Sequence, residues 1–131
     1  MMNLQEIEKR AKHEKERIIQ HREGPSIVIA GPGSGKTTTL AERLVGLFRD
    51  DSDPSRIIAV TFTNHAADEM KEKVIKICEK SGYETPDLHI STMHYLAKGL
   101  LHRYSDKIGL PTSFRVVGRP QENILLTRYS Y

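Results

Sequence analysis

Apolar and polar residues fall along the chain in blocks of changing period, and the changes mark the elements. Residues 4–21 place Leu4, Ile7, Ala11 and Ile18 on one helical face with charges of both signs elsewhere, which predicts a helix with a thin apolar stripe. Gly24-Pro25 ends it. Residues 26–30, Ser-Ile-Val-Ile-Ala, form a short continuous apolar run suited to a buried parallel strand. Helical spacing resumes over residues 36–48 through Leu40, Leu44, Leu47 and Phe48. The β-branched run at residues 56–62, RIIAVTF, predicts a second buried strand. In the helix that follows, Asn64 is placed to cap, Asp68 and Glu69 fall in the first turn, and Ala66, Met70, Val74 and Ile77 form the core face. Ser81-Gly82 stops this helix. Residues 88–92, LHIST, predict a third strand, and residues 93–104 a further helix with Leu96, Leu100 and Tyr104 inward.

Strands alternating with helices predict an α/β fold with a parallel, three-layer sheet. After Gly109-Leu110-Pro111 the pattern thins: residues 114–117 suit a short strand, and residues 122–131 begin something helical. The expected organisation is an N-terminal helical segment over 1–23, a phosphate-binding α/β domain over 24–110, and the start of a following subdomain over 111–131.

Composition narrows the class. A chain of 131 residues is the size of one modest domain, and 28% charged with 37% hydrophobic residues suits a soluble globular protein. No apolar run approaches the roughly 20 residues of a spanning helix. The charged amino terminus has no apolar stretch of the signal-peptide kind, so a cytoplasmic location without membrane partners is expected. The single cysteine, Cys78, cannot form an internal disulfide and reads as a buried filler; the six histidines give no zinc spacing. The net charge of +3 is uneven: residues 93–131 hold six Lys or Arg against two Asp or Glu, net +4, leaving −1 for the rest. That bias fits a polyanionic partner as well as an ordinary solvated surface.

The candidate chemistry begins with Ala30-Gly31-Pro32-Gly33-Ser34-Gly35-Lys36-Thr37, which fits [Ala or Gly]-x4-Gly-Lys-[Ser or Thr] between an expected strand and an expected helix. Glycines are needed because the backbone must fold around phosphate oxygens and aim its N–H groups inward, at the positive end of a helix dipole. Gly33 and Gly35 permit that path. Ala30 to Thr37, with Thr38 beside them, are the expected ATP contacts. Lys36 and Thr37 are the candidate catalytic residues: Lys36 reaches the β and γ phosphates, and the Thr37 hydroxyl completes the shell of a Mg2+ ion. Hydrolysis also asks for a carboxylate at the end of another buried strand. Neither expected strand supplies one: the second runs into Thr61-Phe62-Thr63-Asn64 and the third into Ser91-Thr92-Met93-His94, while Asp87 precedes its strand.

Residues 61–70, TFTNHAADEM, set an aromatic ring and small polar groups at a strand end and a helix start. Such groups suit phosphodiester oxygens, and Phe62 could stack on an unpaired base. On the residue pattern alone, a core phenylalanine beside a capped helix is favoured.

AGPGSGKTTTL, TFTNHAADEM and STMHYLAKGLLHRYSDKIGLPTSF, in this order and spacing, resemble the amino-terminal part of the UvrD/Rep/PcrA-like superfamily 1A DNA helicases. The resemblance runs from about Ala11 to Leu126. It implies a P-loop NTPase of RecA-like fold, incomplete over this length, and single-stranded DNA contacts at Thr61, Phe62, Thr63, Asn64, Thr92 and His94. It implies, further, that hydrolysis and unwinding need an Asp-Glu motif, arginine fingers and a second RecA-like domain, so the chain reads as the amino-terminal piece of a helicase whose remaining domains are its partners. Lys15 stands where the family usually has a glutamine that reads adenine, Thr38 where it often has arginine, His65 at a commonly basic position, and Met93 at the aromatic of the third motif. The alternatives are a small P-loop kinase, for which a substrate-binding carboxylate and an arginine-rich lid are not evident, and a non-hydrolysing ATP- or DNA-binding module.

Overall fold

Chain entry is set by a local device. Asn3 precedes α1 (Leu4–Gln20); its side chain accepts from the Glu6 amide at 2.8 Å while the Glu6 carboxylate accepts from the Asn3 amide at 3.0 Å, a reciprocal capping box. The computed structural model describes residues 3–50 and 53–118, and these divide into two units, Met1–Thr92 and Met93–Tyr131.

In the first unit, α1 is followed by α2 (Lys36–Arg49), β1 (Ile58–Thr61), α3 (Asn64–Ser81) and β2 (His89–Thr92). The two strands pair in parallel with Ile58 opposite His89 and Thr61 opposite Thr92, joined through α3 as a βαβ crossover. The core is assembled from Ala41, Leu44 and Val45 of α2, Ala59 of β1, Ala67, Met70, Val74 and Cys78 of α3, and Ile90 of β2. Cys78 is fully buried, as expected of a lone cysteine acting as a filler, and burial pushes its thiol above the usual range.

Several expectations give way. The apolar run at residues 26–30 joins no strand: Ile27 is 91% and Ile29 96% exposed. An apolar run becomes a buried strand only when a neighbour offers a hydrogen-bonding edge, and the described strands pair only with each other. The three-layer sheet is likewise not formed among the described residues. The structure is a small α/β assembly in which α3 packs on a two-stranded sheet, α2 on α3 and α1 on α2, while Ile58 and Val60 on β1 stay exposed. On α3 the cap is Thr63, not Asn64: the Thr63 hydroxyl accepts from the Ala66 amide at 3.1 Å. The helix therefore begins one residue earlier relative to its acids, and Asp68 and Glu69 lie beyond the first turn. Its buried face is Ala67, Met70, Val74 and Cys78, with Ala66 and Ile77 half-buried. Gly82 closes α3 in the left-handed region, at φ 70°.

The second unit holds α4 (Met93–Arg103) and a short 3-10 turn at Ser105–Ile108 closed by Gly109. The Ser105 hydroxyl is buried and donates to the His102 carbonyl at 3.1 Å. Of the residues expected inward on α4, Leu96 is half-buried, but Leu100 and Tyr104 are exposed. Residues 114–117 form no strand; Phe114 instead stacks on the His102 ring, centroids 4.2 Å apart. The helical start expected over residues 122–131 lies outside the described residues.

Candidate functional site

The glycine loop between residues 30 and 36 turns as its sequence requires. Gly33 and Gly35 take φ of 73° and 80°, a region that side-chain-bearing residues avoid, and Gly35 is itself the N-cap of α2. A Cβ placed on Gly31 or Gly33 would meet nothing within 4 Å, so the loop opens onto free space. Ser34 tightens the turn from within, its hydroxyl donating to the Gly31 carbonyl at 2.8 Å. Thr39 secures the other side, its amide and hydroxyl both donating to the Gly35 carbonyl at 2.9 and 3.1 Å.

Lys36 folds back over this loop. Its ammonium donates to the Gly31 carbonyl at 2.6 Å and the Ala30 carbonyl at 3.2 Å. The charge is thus kept at the loop, on acceptors that an anion's oxygens can replace. Thr37 follows in the first turn of α2, half-buried, with no hydrogen-bond partner for its hydroxyl among the described residues. Ala30 is half-buried, and Gly31, Pro32, Ser34 and Thr38 are exposed. An open left-handed cradle, a helix N-terminus, an ammonium and a free hydroxyl form a donor set that fits a magnesium-bound nucleotide triphosphate tail. Among the described residues no cluster of His, Cys, Asp or Glu could hold a metal on its own.

The α1 helix is fastened beside this loop by residues that the sequence pattern did not single out. Arg43 on α2 donates from one guanidinium nitrogen to the Ile18 carbonyl at 2.6 Å and to the His21 carbonyl, satisfying carbonyls at the end of α1. Burial first, and the neighbouring Arg22 charge second, hold this guanidinium below its ordinary pKa. Arg22 pairs with Asp50. A Cβ on Gly46 would make ordinary van der Waals contact with Arg22 and Ile19, 3.7 and 3.8 Å away, so α1 and α2 pass at a normal packing distance there. One turn before Ile18 and Ile19, Lys15 brings its ammonium nitrogen to 3.3 Å from where a Cβ on Gly35 would be. A basic residue facing another element's glycine cannot be found from spacing along α1 alone.

The strand ends form a second cluster. Parallel register sets Thr61 directly opposite Thr92, bringing two segments far apart in sequence to the same carboxyl edge of the sheet. The Thr61 hydroxyl donates to the Thr63 carbonyl at 2.9 Å, which bends the chain from β1 into α3. Phe62, at the apex of that bend, is 93% exposed. It belongs to no core, contrary to the reading that the residue pattern alone favoured. Thr63 spends its hydroxyl on the helix cap, Asn64 is exposed in the first turn, and Thr92 is buried. His94 lies exposed in the first turn of α4, in the second unit.

Comparison with known proteins agrees over nearly all of this chain. The family model described as UvrD/REP helicase N-terminal domain matches residues 11–128. A Leuconostoc citreum protein named ATP-dependent DNA helicase PcrA is 34% identical over 128 residues, covering 97% of this chain and 17% of that protein. Proteins of the same name from Staphylococcus aureus and Staphylococcus epidermidis are each 37% identical over 105 residues, covering 79% of this chain and 14% of theirs. The chain thus spans about a sixth of the length of the curated relatives it matches.

Proposed function

Because the chain belongs to the UvrD/REP helicase N-terminal domain family, we propose that it is the amino-terminal, nucleotide-binding portion of an ATP-dependent DNA helicase. It holds the phosphates of MgATP at the glycine loop and single-stranded DNA at the carboxyl edge of β1 and β2. The observation that carries this reading is the loop: two left-handed glycines feed directly into the N-terminus of α2, with Lys36 over the opening.

Each residue has a distinct part. The amides that the loop exposes around Gly33 and Gly35 bind phosphate oxygens, and Lys36 exchanges its two carbonyl acceptors for the β and γ phosphates. Thr37 offers its hydroxyl to magnesium, which when bound neutralises charge building on the phosphates. At the strand edge of the first unit Phe62 stacks on a base and Asn64 meets the DNA backbone or bases, while His94 of the second unit is a separate candidate contact that the family resemblance implies. The buried Thr92 and the cap Thr63 act more by shaping the edge than by presenting free hydroxyls.

Hydrolysis and unwinding belong to the whole protein. Neither β1 nor β2 ends in a carboxylate, their last residues being Thr61 and Thr92, so nothing at this edge holds the metal from the far side. The remaining domains of the full-length helicase are the partners that supply such groups.

Equilibrium binding of a fluorescent adenine nucleotide with magnesium tests the reading. The chain is expected to bind weakly and to release no appreciable phosphate, and Lys36→Ala to abolish binding. Robust ATPase activity that vanishes in Lys36→Ala would overturn the view that this portion only binds. Transfer of labelled phosphate from ATP to an added nucleoside would point instead to a small P-loop kinase.

A further inference from the structure

Two lysines, from different helices, converge on one glycine loop. Lys36 caps the loop from within, and the Lys15 ammonium arrives from α1 to within 3.3 Å of the space above Gly35. The approach is not an accident of a loosely placed helix, because Arg43 and the Arg22–Asp50 pair fasten the end of α1 to α2. Lys15, Ile18 and Ile19 share the face so fastened.

Nothing among the described residues balances this charge. Among the described residues Lys15 has no hydrogen-bond or ion-pair partner. The positions three and four away along α1 are Lys12, Ala11, Ile18 and Ile19, which offer no carboxylate. The first turn of α2 carries no acid either. Two ammonium groups and a helix N-terminus at one open loop repel one another until an anion of several charges joins them.

We propose that Lys15 is a second phosphate-binding cation of this loop, so that the site selects its ligand by polyphosphate charge more than by base. The inference rests on the nucleotide-binding reading above and adds a residue and a selectivity to it. A lysine head is a point charge with three donors and reads no base edge, so a triphosphate carried by adenine, guanine or no base at all should satisfy it.

Titrating the chain with magnesium tripolyphosphate, MgATP, MgGTP and MgAMP at low, fixed salt tests this. Wild-type protein is expected to bind tripolyphosphate, ATP and GTP within about threefold of one another, and AMP much more weakly. Lys15→Gln should weaken the three polyphosphate ligands about three- to tenfold, the scale of one exposed charge set against a multivalent anion, and Lys15→Arg should restore most of it. Circular dichroism confirms that the helices persist in each variant. If Lys15→Gln binds tripolyphosphate as wild type does while Lys36→Ala loses it, the role of Lys15 is overturned and the loop's function stands. If wild-type protein binds none of these ligands, or Lys36→Ala binds them unchanged, the nucleotide-binding reading fails and this inference with it.

Discussion

Replacing Phe62 by alanine separates folding from binding, because the two make opposite demands on the ring. A phenylalanine packed in a core costs about 3–5 kcal/mol when truncated to alanine. Phe62 is 93% exposed, so less than a tenth of its surface can contribute to packing, and the loss of stability should stay below about 0.5 kcal/mol. A base stacked on the ring is worth roughly 1–3 kcal/mol, which corresponds to roughly 5- to 150-fold in affinity for single-stranded DNA. The chain has no tryptophan, so urea unfolding is best followed by circular dichroism, with fluorescence anisotropy of a labelled oligothymidine for binding. Salt must be held low and constant, since phosphate contacts weaken steeply with ionic strength. Phe62→Tyr keeps a stacking face and should bind nearly as wild type. Unchanged DNA affinity in Phe62→Ala, or a loss of stability near 3 kcal/mol, would refute the reasoning.

The packing scheme and the local caps make further predictions. Val74→Ala removes a buried side chain between α3 and its neighbours and should cost about 2 kcal/mol in urea melts, whereas Leu4→Ala on the exposed start of α1 should cost less than about 0.5 kcal/mol. Equal costs would contradict the core as described. Thr63→Ala deletes the cap of α3 and should destabilise by about 1 kcal/mol, with Thr63→Ser retaining stability; a Thr63→Ser variant as unstable as alanine would show that the hydroxyl does not cap. The Glu69 carboxyl is held below its ordinary pKa by the hydrogen bond from Lys73 and by that residue's charge. Its folded pKa is depressed, so its contribution is present above the unfolded value of about 4.3 and disappears as pH falls through the folded value. Glu69→Gln should therefore flatten the stability profile in that acid range alone, and a difference that persists at still lower pH would point to another cause.

Local features were legible along the chain because their causes are local. The glycine loop needs left-handed residues and a following helix, and Gly33, Gly35 and Lys36 announce both within a few positions. Helix ends behaved similarly, with errors of one residue where two cap-forming side chains, Thr63 and Asn64, stand side by side and only the turn from β1 decides between them. The family resemblance, carried by the order of three short motifs, was equally readable and extends over nearly the whole chain.

What depended on distant partners was not legible. Hydrophobicity placed residues 26–30 in a buried strand, yet burial needs a neighbouring edge, and among the described residues none pairs with them. The residue pattern alone favoured Phe62 as core, and only the bend between β1 and α3 turned its ring outward. Thr61 and Thr92 became neighbours through parallel register, a pairing that no sequence period encodes. In the sequence Lys15 stands out only as a departure from the family's usual glutamine, and its approach to the loop shows only where α1 is fastened against Gly35. Sequence by itself determined the loop and the family; tertiary structure decided which of two neighbouring side chains caps α3 and which charges and rings face solvent, because that depends on contacts between elements that are remote along the chain.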